Sequence, residues 1–396
     1  MRLLFIAGGF TPPGGIESFI NTLSPVLASR NHNVSLLCWG PKNPSLDEIA
    51  LSGVKVRRQP FRWACRASIP NLLLLAWHGA TQVLTHDAII FTKIPPAWLL
   101  RSLRRVARAG EHLGSDRSRR PAGSPPVRPF IYVTPYRPAE MWSSSRPSTE
   151  TLNCFDSIVV QAPGFATELR EFGYRGQIVT IPYIPPKSVV PLPLPPSDRL
   201  RLGFLGRFVT QKNLLYLLDA FSHLAGVGVG SSATRWELHL YGDGPMKREI
   251  VEATARRGLQ GQVHFHGAIP HDAVPDAIDS CHLFAFSSLS EGQCLAALEI
   301  LSRGRPIVAT PVGAFPEILR TPELGQIASL DDAALFARTL SVVGADLLEK
   351  RLTPHTIQCR FREQFPHDEI VEKYCHLLTA AIPPAHLSGE DRRLPL

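Results

Sequence analysis

The stretch HLFAFSSLSEGQCLAALEILSRGRPIVAT (282–310) reads as a strand, a loop, a helix and a second strand. HLFAF is a short apolar run of the kind buried in a parallel sheet. LSEGQC is a loop, Leu295–Arg303 a helix, Gly304 its C-cap, and Pro306 the entry to the next strand. Glu291 therefore falls in a loop at the carboxyl edge of a sheet, beside Gly292. Glu299 falls one turn into a helix whose other members include Ala296, Ala297, Leu298, Ile300 and Leu301. A buried carboxylate is costly unless something hydrogen-bonds it. The bland alternative is a Glu299–Arg303 surface pair, worth only a few tenths of a kcal/mol. A helix apolar nearly all round argues against it.

The same alternation extends along the chain. Strands are expected at 2–7, 33–38, 87–91, 130–134, 157–161 and 177–181, with helices near 15–30, 69–81, 95–109 and 164–172. Beyond residue 200, strands are expected at 201–205, 236–241, 262–266, 282–286 and 306–309. Helices are expected there near 212–224, 246–257, 271–280, 295–303 and 331–347. Such alternation implies α/β architecture with parallel sheets, and 396 residues favour two domains. Between the halves, IPYIPPKSVVPLPLPPSD (181–198) holds seven prolines and cannot form a helix. The expected organisation is a first Rossmann-like domain over 1–183, with a flexible loop at 109–129, and a Pro-rich linker over 184–198. A second domain follows over 199–364, then a terminal helix over 365–382 and a disordered tail over 383–396. Two doubly wound halves place ligands at the carboxyl ends of their strands.

Several glycine turns sit at those ends. GGFTPPGGIESF brings Gly14 and Gly15 to the start of a helix carrying Ile16, Phe19, Ile20, Leu23 and Leu27 on one face. A helix N-terminus with exposed backbone N–H groups favours an anion. The spacing departs from the dinucleotide pattern G-x-G-x-x-G. GRFVTQKN (206–213) sets Arg207 and Lys212 beside a helix start, a pairing suited to a diphosphate. YGDGP (241–245) and VHFHGAIP (263–270) repeat the theme, and Gly267 could present its backbone to the edge of a base. His264, His266 and His271 raise a metal question, but the first two alternate along an expected strand with no acidic ligand nearby, so ordinary strand and loop histidines are expected.

Bulk composition narrows the classes. The seven cysteines are scattered and never spaced C-x-x-C, which fits reduced thiols and neither a zinc site nor a disulfide framework. No signal peptide and no membrane span are expected, since NLLLLAW (71–77) is far too short. Residues 1–130 carry 17 Lys+Arg against 6 Asp+Glu, and the remainder 25 against 28, so charge runs from +11 to −3. A basic first half suits an anionic partner such as a membrane surface. The helix PPAWLLRSLRRVARA (95–109) sets Trp98, Leu99, Leu103 and Val106 against Arg101, Arg104, Arg105 and Arg108, as an interfacial helix would. No basic motif interleaved with aromatics accompanies the charge, so no nucleic-acid partner is expected.

Taken together, GRFVTQKN, YGDGP, VHFHG, SEGQCLAALE and TPVGAFPEIL (310–319), in that order, resemble the retaining glycosyltransferases of family 4. FPHDEIVEKYCHLL (365–378) resembles that family's terminal helix. The resemblance implies the GT-B fold, two facing Rossmann-like domains with a C-terminal crossover helix. It implies a metal-independent transfer from a nucleotide-sugar donor to a glycan or lipid-linked acceptor, with no cofactor beyond the donor. Glu291 would act at the donor sugar as the catalytic carboxylate, with Gly292, Gln293 and Cys294 around the sugar. Arg207, Lys212, Gly14 and Gly15 would hold the diphosphate, and Glu299, Gly267 and Ile269 the nucleoside. A histidine usual in the first domain is replaced near Tyr136, the expected acceptor or sugar contact. A cytoplasmic protein, peripheral on the inner face of the membrane, is the implied location. Two other readings stay open: a nucleotide-sugar isomerase or epimerase of the same architecture, and a catalytically silent nucleotide-binding protein.

Overall fold

The structure is a computed structural model. It describes residues 1–9, 15–39, 52–59, 80–95, 97–114, 129–134, 138, 147–187, 189–196, 198–224 and 235–380. Two compact units divide the chain, Met1–Ile181 together with Val371–Leu396, and Pro182–Ile370.

The first unit is built on β1 (Arg2–Gly9), α1 (Gly15–Ser29), β2 (Asn33–Trp39), β3 (Lys55–Gln59), β4 (Ala88–Phe91), α2 (Ala97–Gly114), β5 (Phe130–Val133), β6 (Ser157–Val160), α3 (Pro163–Glu171) and β7 (Gln177–Thr180). Its seven strands run in the order β3-β2-β1-β4-β5-β6-β7, all neighbours parallel. Leu3 to Ala7 are buried without interruption. That is the mark of a strand covered on both faces. Phe19, Ile20, Leu23 and Leu27 of α1 are buried as its apolar periodicity requires.

Helix α2 differs from the expected interfacial helix. Leu99, Leu100, Leu103 and Ala107 are buried in the unit, Arg104 is ion-paired with Asp156, and Arg101 lies 3.2 Å from Glu150. Most of its apolar side is therefore core, whereas Trp98 is exposed. The helix also runs to Gly114, through the start of the stretch expected as a loop. The rest of that loop, most of the helix expected at 69–81 and the tail at 383–396 lie outside the described residues.

The second unit contains β8 (Arg199–Leu205), α4 (Leu214–Leu224), β9 (Arg235–Tyr241), α5 (Lys247–Arg256), β10 (Val263–Gly267), α6 (Val274–Asp279), β11 (Leu283–Phe286), α7 (Leu295–Ser302), β12 (Ile307–Ala309), β13 (Gly325–Ile327), α8 (Ala333–Leu348) and α9 (Pro354–Gln364). The chain then enters α10 (His367–Ala380), which rejoins the first unit from Val371. There the Tyr374 ring packs tilted against Phe19, centroids 5.2 Å apart, and its hydroxyl donates to the Ile181 carbonyl. The six strands run β10-β9-β8-β11-β12-β13, again all parallel. Strand order reverses between β8 and β11, so the loops after these two strands flank a topological switch point, where open sheets of this kind bind ligands.

The Pro-rich segment is not a free tether. Arg305 is fully buried and donates to the carbonyls of Leu192, Pro193 and Cys281. His282 Nε2 lies 3.2 Å from the Pro195 carbonyl, and His367 Nδ1 lies 2.7 Å from that of Pro185. Proline lacks an N–H but keeps its carbonyl, so side chains of the second unit can strap such a segment down without a partner strand.

Candidate functional site

At the switch point the loop after β8 meets the loop after β11. Lys212 Nζ lies 2.5 Å from Glu291 Oε1, which also accepts from Ser288 Oγ at 2.7 Å. Both partners are largely buried, their side chains 16% and 6% exposed. Burial alone would push the Lys212 pKa down. The Cys294 sulfur and the Glu291 carboxylate outweigh it, and the pKa is raised. Burial and the Glu291 charge push the Cys294 thiol up to about 12, so it is neutral at pH 7. The carboxylate is therefore the partner that keeps Lys212 charged.

Backbone and hydroxyl contacts fix this geometry. Ser287 Oγ donates to the carbonyls of Lys212 and Asn213, Leu289 N donates to Gln211 O, and Gln211 Nε2 donates to Ser290 O. Thr310 Oγ1 holds Ser288 O at 2.6 Å. The TPVG turn closes against the same loop: Ala314 N donates to Gly292 O, and Gly313 has φ +60°. A Cβ at Gly313 would lie 2.4 Å from Glu291 O. Only glycine fits there. Cys294 adopts φ +55° just before α7, a strained conformation for a residue with a side chain and one that clusters at functional sites.

The other residues singled out in the sequence have distinct surroundings. Arg207 is exposed beside this loop, makes no ion pair among the described residues, and is close enough to oppose the Lys212 charge. The buried Gln293 accepts from Tyr183 N through Oε1, so only its amide nitrogen and backbone are left for a ligand. Gly267 ends β10 at φ +73°, and its carbonyl accepts from Gly242 N, which ties the GDG turn to that strand end. Ile269 is half-buried just beyond it. Gly15 opens α1 in the first unit, whereas Gly14 and Tyr136 lie outside the described residues.

Glu299 is not the surface partner of Arg303, because Arg303 is ion-paired with Asp279. Its side chain finds no hydrogen-bond partner among the described residues. Burial raises its pKa, and His271 counters this only in part. A half-buried carboxylate left without a donor is suited to a ligand that supplies one. Ser288, Ser287 and Gln211 were not foreseen as site residues. The hydroxyl pair at the end of an apolar strand, Ser287–Ser288, was the available signal. One premise fails: an acidic group does lie beside His264, for Glu237 Oε1 is 3.7 Å from its Nε2.

The fold of the chain is that of the GT-B structures. Lipopolysaccharide outer core galactosyltransferase WaaB, in its apo form, superposes at a TM-score of 0.71 and 16% identity, over 96% of this chain and 100% of that one. Anabaena Alr3699/HepE in complex with UDP and glucose gives the same score, identity and coverage. Residues 199–346 match the model for Glycosyl transferases group 1. Among sequence relatives, the gpi3 subunit of phosphatidylinositol N-acetylglucosaminyltransferase from Schizosaccharomyces pombe is 27% identical over 384 residues, 92% of this chain and 77% of that protein. Lipopolysaccharide core biosynthesis glycosyltransferase LpsE of Rhizobium meliloti is 27% identical over 231 residues, 57% of this chain and 64% of that protein. The Arabidopsis thaliana relative, also a subunit of phosphatidylinositol N-acetylglucosaminyltransferase, is 41% identical over 78 residues, 20% and 17% of the two chains. The matches to the last two thus span less than two thirds of the relatives' own length.

Proposed function

We propose that this chain is a retaining, metal-independent glycosyltransferase of family 4, moving a sugar from a nucleotide-sugar donor to a glycan or lipid-linked acceptor. The observation that carries the reading is the buried Lys212–Glu291 pair at the switch point, with Arg207 beside it. A nucleoside diphosphate is a good leaving group and needs charge stabilisation more than a general acid. Lys212 and Arg207 supply that charge from a preorganised loop. Glu291, held by Ser288 as well as Lys212, orients the donor sugar and stabilises charge on it as the glycosidic bond weakens. Glu299 accepts hydrogen bonds from ribose hydroxyls, with Gly267 and Ile269 lining the base. The UDP and glucose found in the Anabaena neighbour, and the sugar-transferring names of the relatives, support a nucleotide-sugar donor.

The acceptor side rests on charge. No described helix is long and apolar enough to cross a membrane. With most of the apolar side of α2 buried, its exposed Arg105 and Arg108 would draw the protein to the anionic inner face of a membrane mainly by electrostatics. A screen of nucleotide sugars for binding, hydrolysis and transfer tests the proposal. Transfer from at least one donor, abolished in Glu291→Gln, supports it. Conversion of donor alone to an isomer, or binding without any turnover, overturns it.

A further inference from the structure

A second cluster of ionisable groups lies outside the site described above. Glu237 and His239 alternate along β9 and so leave the sheet on one face. His264 of the edge strand β10 is the register partner of His239. Glu237 is buried, its Oε2 3.5 Å from His239 Nε2 and its Oε1 3.7 Å from His264 Nε2. The donor atoms of the three residues all lie within 4.8 Å of one another. Both Nε2 atoms are buried without a hydrogen-bond partner, and separations of this length are not hydrogen bonds. Two orphaned imidazole nitrogens around one buried carboxylate are costly to leave so.

We propose that Glu237, His239 and His264 hold a divalent transition metal, zinc by the nature of the donors, which clamps the edge strand β10 onto β9. Zinc bonds of about 2.0–2.2 Å in tetrahedral geometry set donors roughly 3.3–3.5 Å apart. The Oε2–His239 separation already matches this, and the remaining donor separations, all within 4.8 Å, need to close by at most about 1.5 Å. The His264 side chain is 40% exposed, so its ring has room to adjust. His239 Nδ1 lies 3.0 Å from His266 Nε2. An Nδ1–H donated to His266 leaves the Nε2 lone pair facing Glu237, the tautomer a metal requires. Arg199 holds Glu237 through Oε1, and Arg201 Nε stands 4.0 Å from Oε2, beyond hydrogen-bonding distance, so Oε2 can still turn to the ion.

The experiment uses the purified full chain, stripped with a chelator and dialysed. Zinc alone is titrated against a chromophoric competitor, and thermal unfolding is followed with and without it. Stoichiometric uptake and a higher Tm are expected. Cobalt substitution should give visible d–d bands without a thiolate charge-transfer band. His264→Ala, at a part-exposed position, should fold and lose more than about a hundredfold in affinity, beyond the effect of removing an outer-shell partner. Glu237→Gln should do the same. Cys359→Ser, which removes a surface thiol 3.7 Å from His355, should change nothing. No uptake by the native chain, or uptake unaltered by His264→Ala, overturns the proposal. No donor or acceptor enters this test, so its outcome is independent of the proposed transfer activity.

Discussion

Lys212 and Glu291 are separated by 79 residues of sequence, yet Nζ and Oε1 stand 2.5 Å apart across the β8–β11 junction. The strand reversal makes this contact. β8 and β11 are neighbours only because the chain winds outward twice from β8, through β9 and β10 and then through β11 and β12.

Removing one member of a buried ion pair strands the other. Lys212→Met should therefore destabilise the second unit by about 3–5 kcal/mol, and Glu291→Gln by less, because the amide oxygen can still accept from Lys212. The double variant should recover about 1–3 kcal/mol of the summed loss. Urea unfolding of the four proteins measures this coupling. Because the Lys212 pKa is raised, its contribution is complete below the unfolded value of 10.5 and fades as pH climbs through the folded value. A native–Lys212→Met difference already gone at pH 8 would contradict the pairing.

Glu299 should behave in the opposite sense. Its folded pKa is raised, so below the unfolded value of 4.5 it contributes nothing, and as pH rises through the folded value it costs stability. Glu299→Gln should raise Tm at pH 7 and leave it unchanged near pH 4. The same variant should lose roughly 1.5–3 kcal/mol of donor binding, as expected for a charge-assisted hydrogen bond to ribose. Thermal scans at both pH values and a donor titration provide the two readings. Unchanged donor affinity would remove the nucleoside role.

Arg305 has no solvent exposure and straps the Leu192–Pro193 carbonyls to the second unit. Arg305→Met should cost about 3 kcal/mol or more, since several buried acceptors lose their donor together. It should also open the 189–196 segment to limited proteolysis at concentrations that leave the native chain intact. Equal cleavage of the two proteins would contradict the strap.

Much of the architecture was legible because parallel strands buried on both faces are continuous apolar runs, as LLFIA and HLFAF show. The misses have physical reasons. β3 (KVRRQ) is an edge strand with charged residues, so its apolar signal is nearly absent. β13 is three residues long and begins on Gly325. α9 is largely polar, although the Thr353–Pro354–Thr356 capping arrangement marked its start. Within the site, residue types and loop positions could be read from glycine turns and strand ends. The pairing of Lys212 with Glu291, the strap from Arg305 and the meeting of Glu237 with His264 could not. Each depends on which strands become neighbours, and no local periodicity encodes that.

The central claim is that Glu291 and its cationic partners carry out a retaining transfer without a divalent ion at the reacting centre. Its most direct test is transfer in excess EDTA from the donor the screen identifies, with the product anomer assigned by NMR. The account predicts that activity persists and that the product keeps the anomeric configuration of the donor. An inverted product, or activity abolished by EDTA and restored by Mg²⁺ or Mn²⁺, would contradict it.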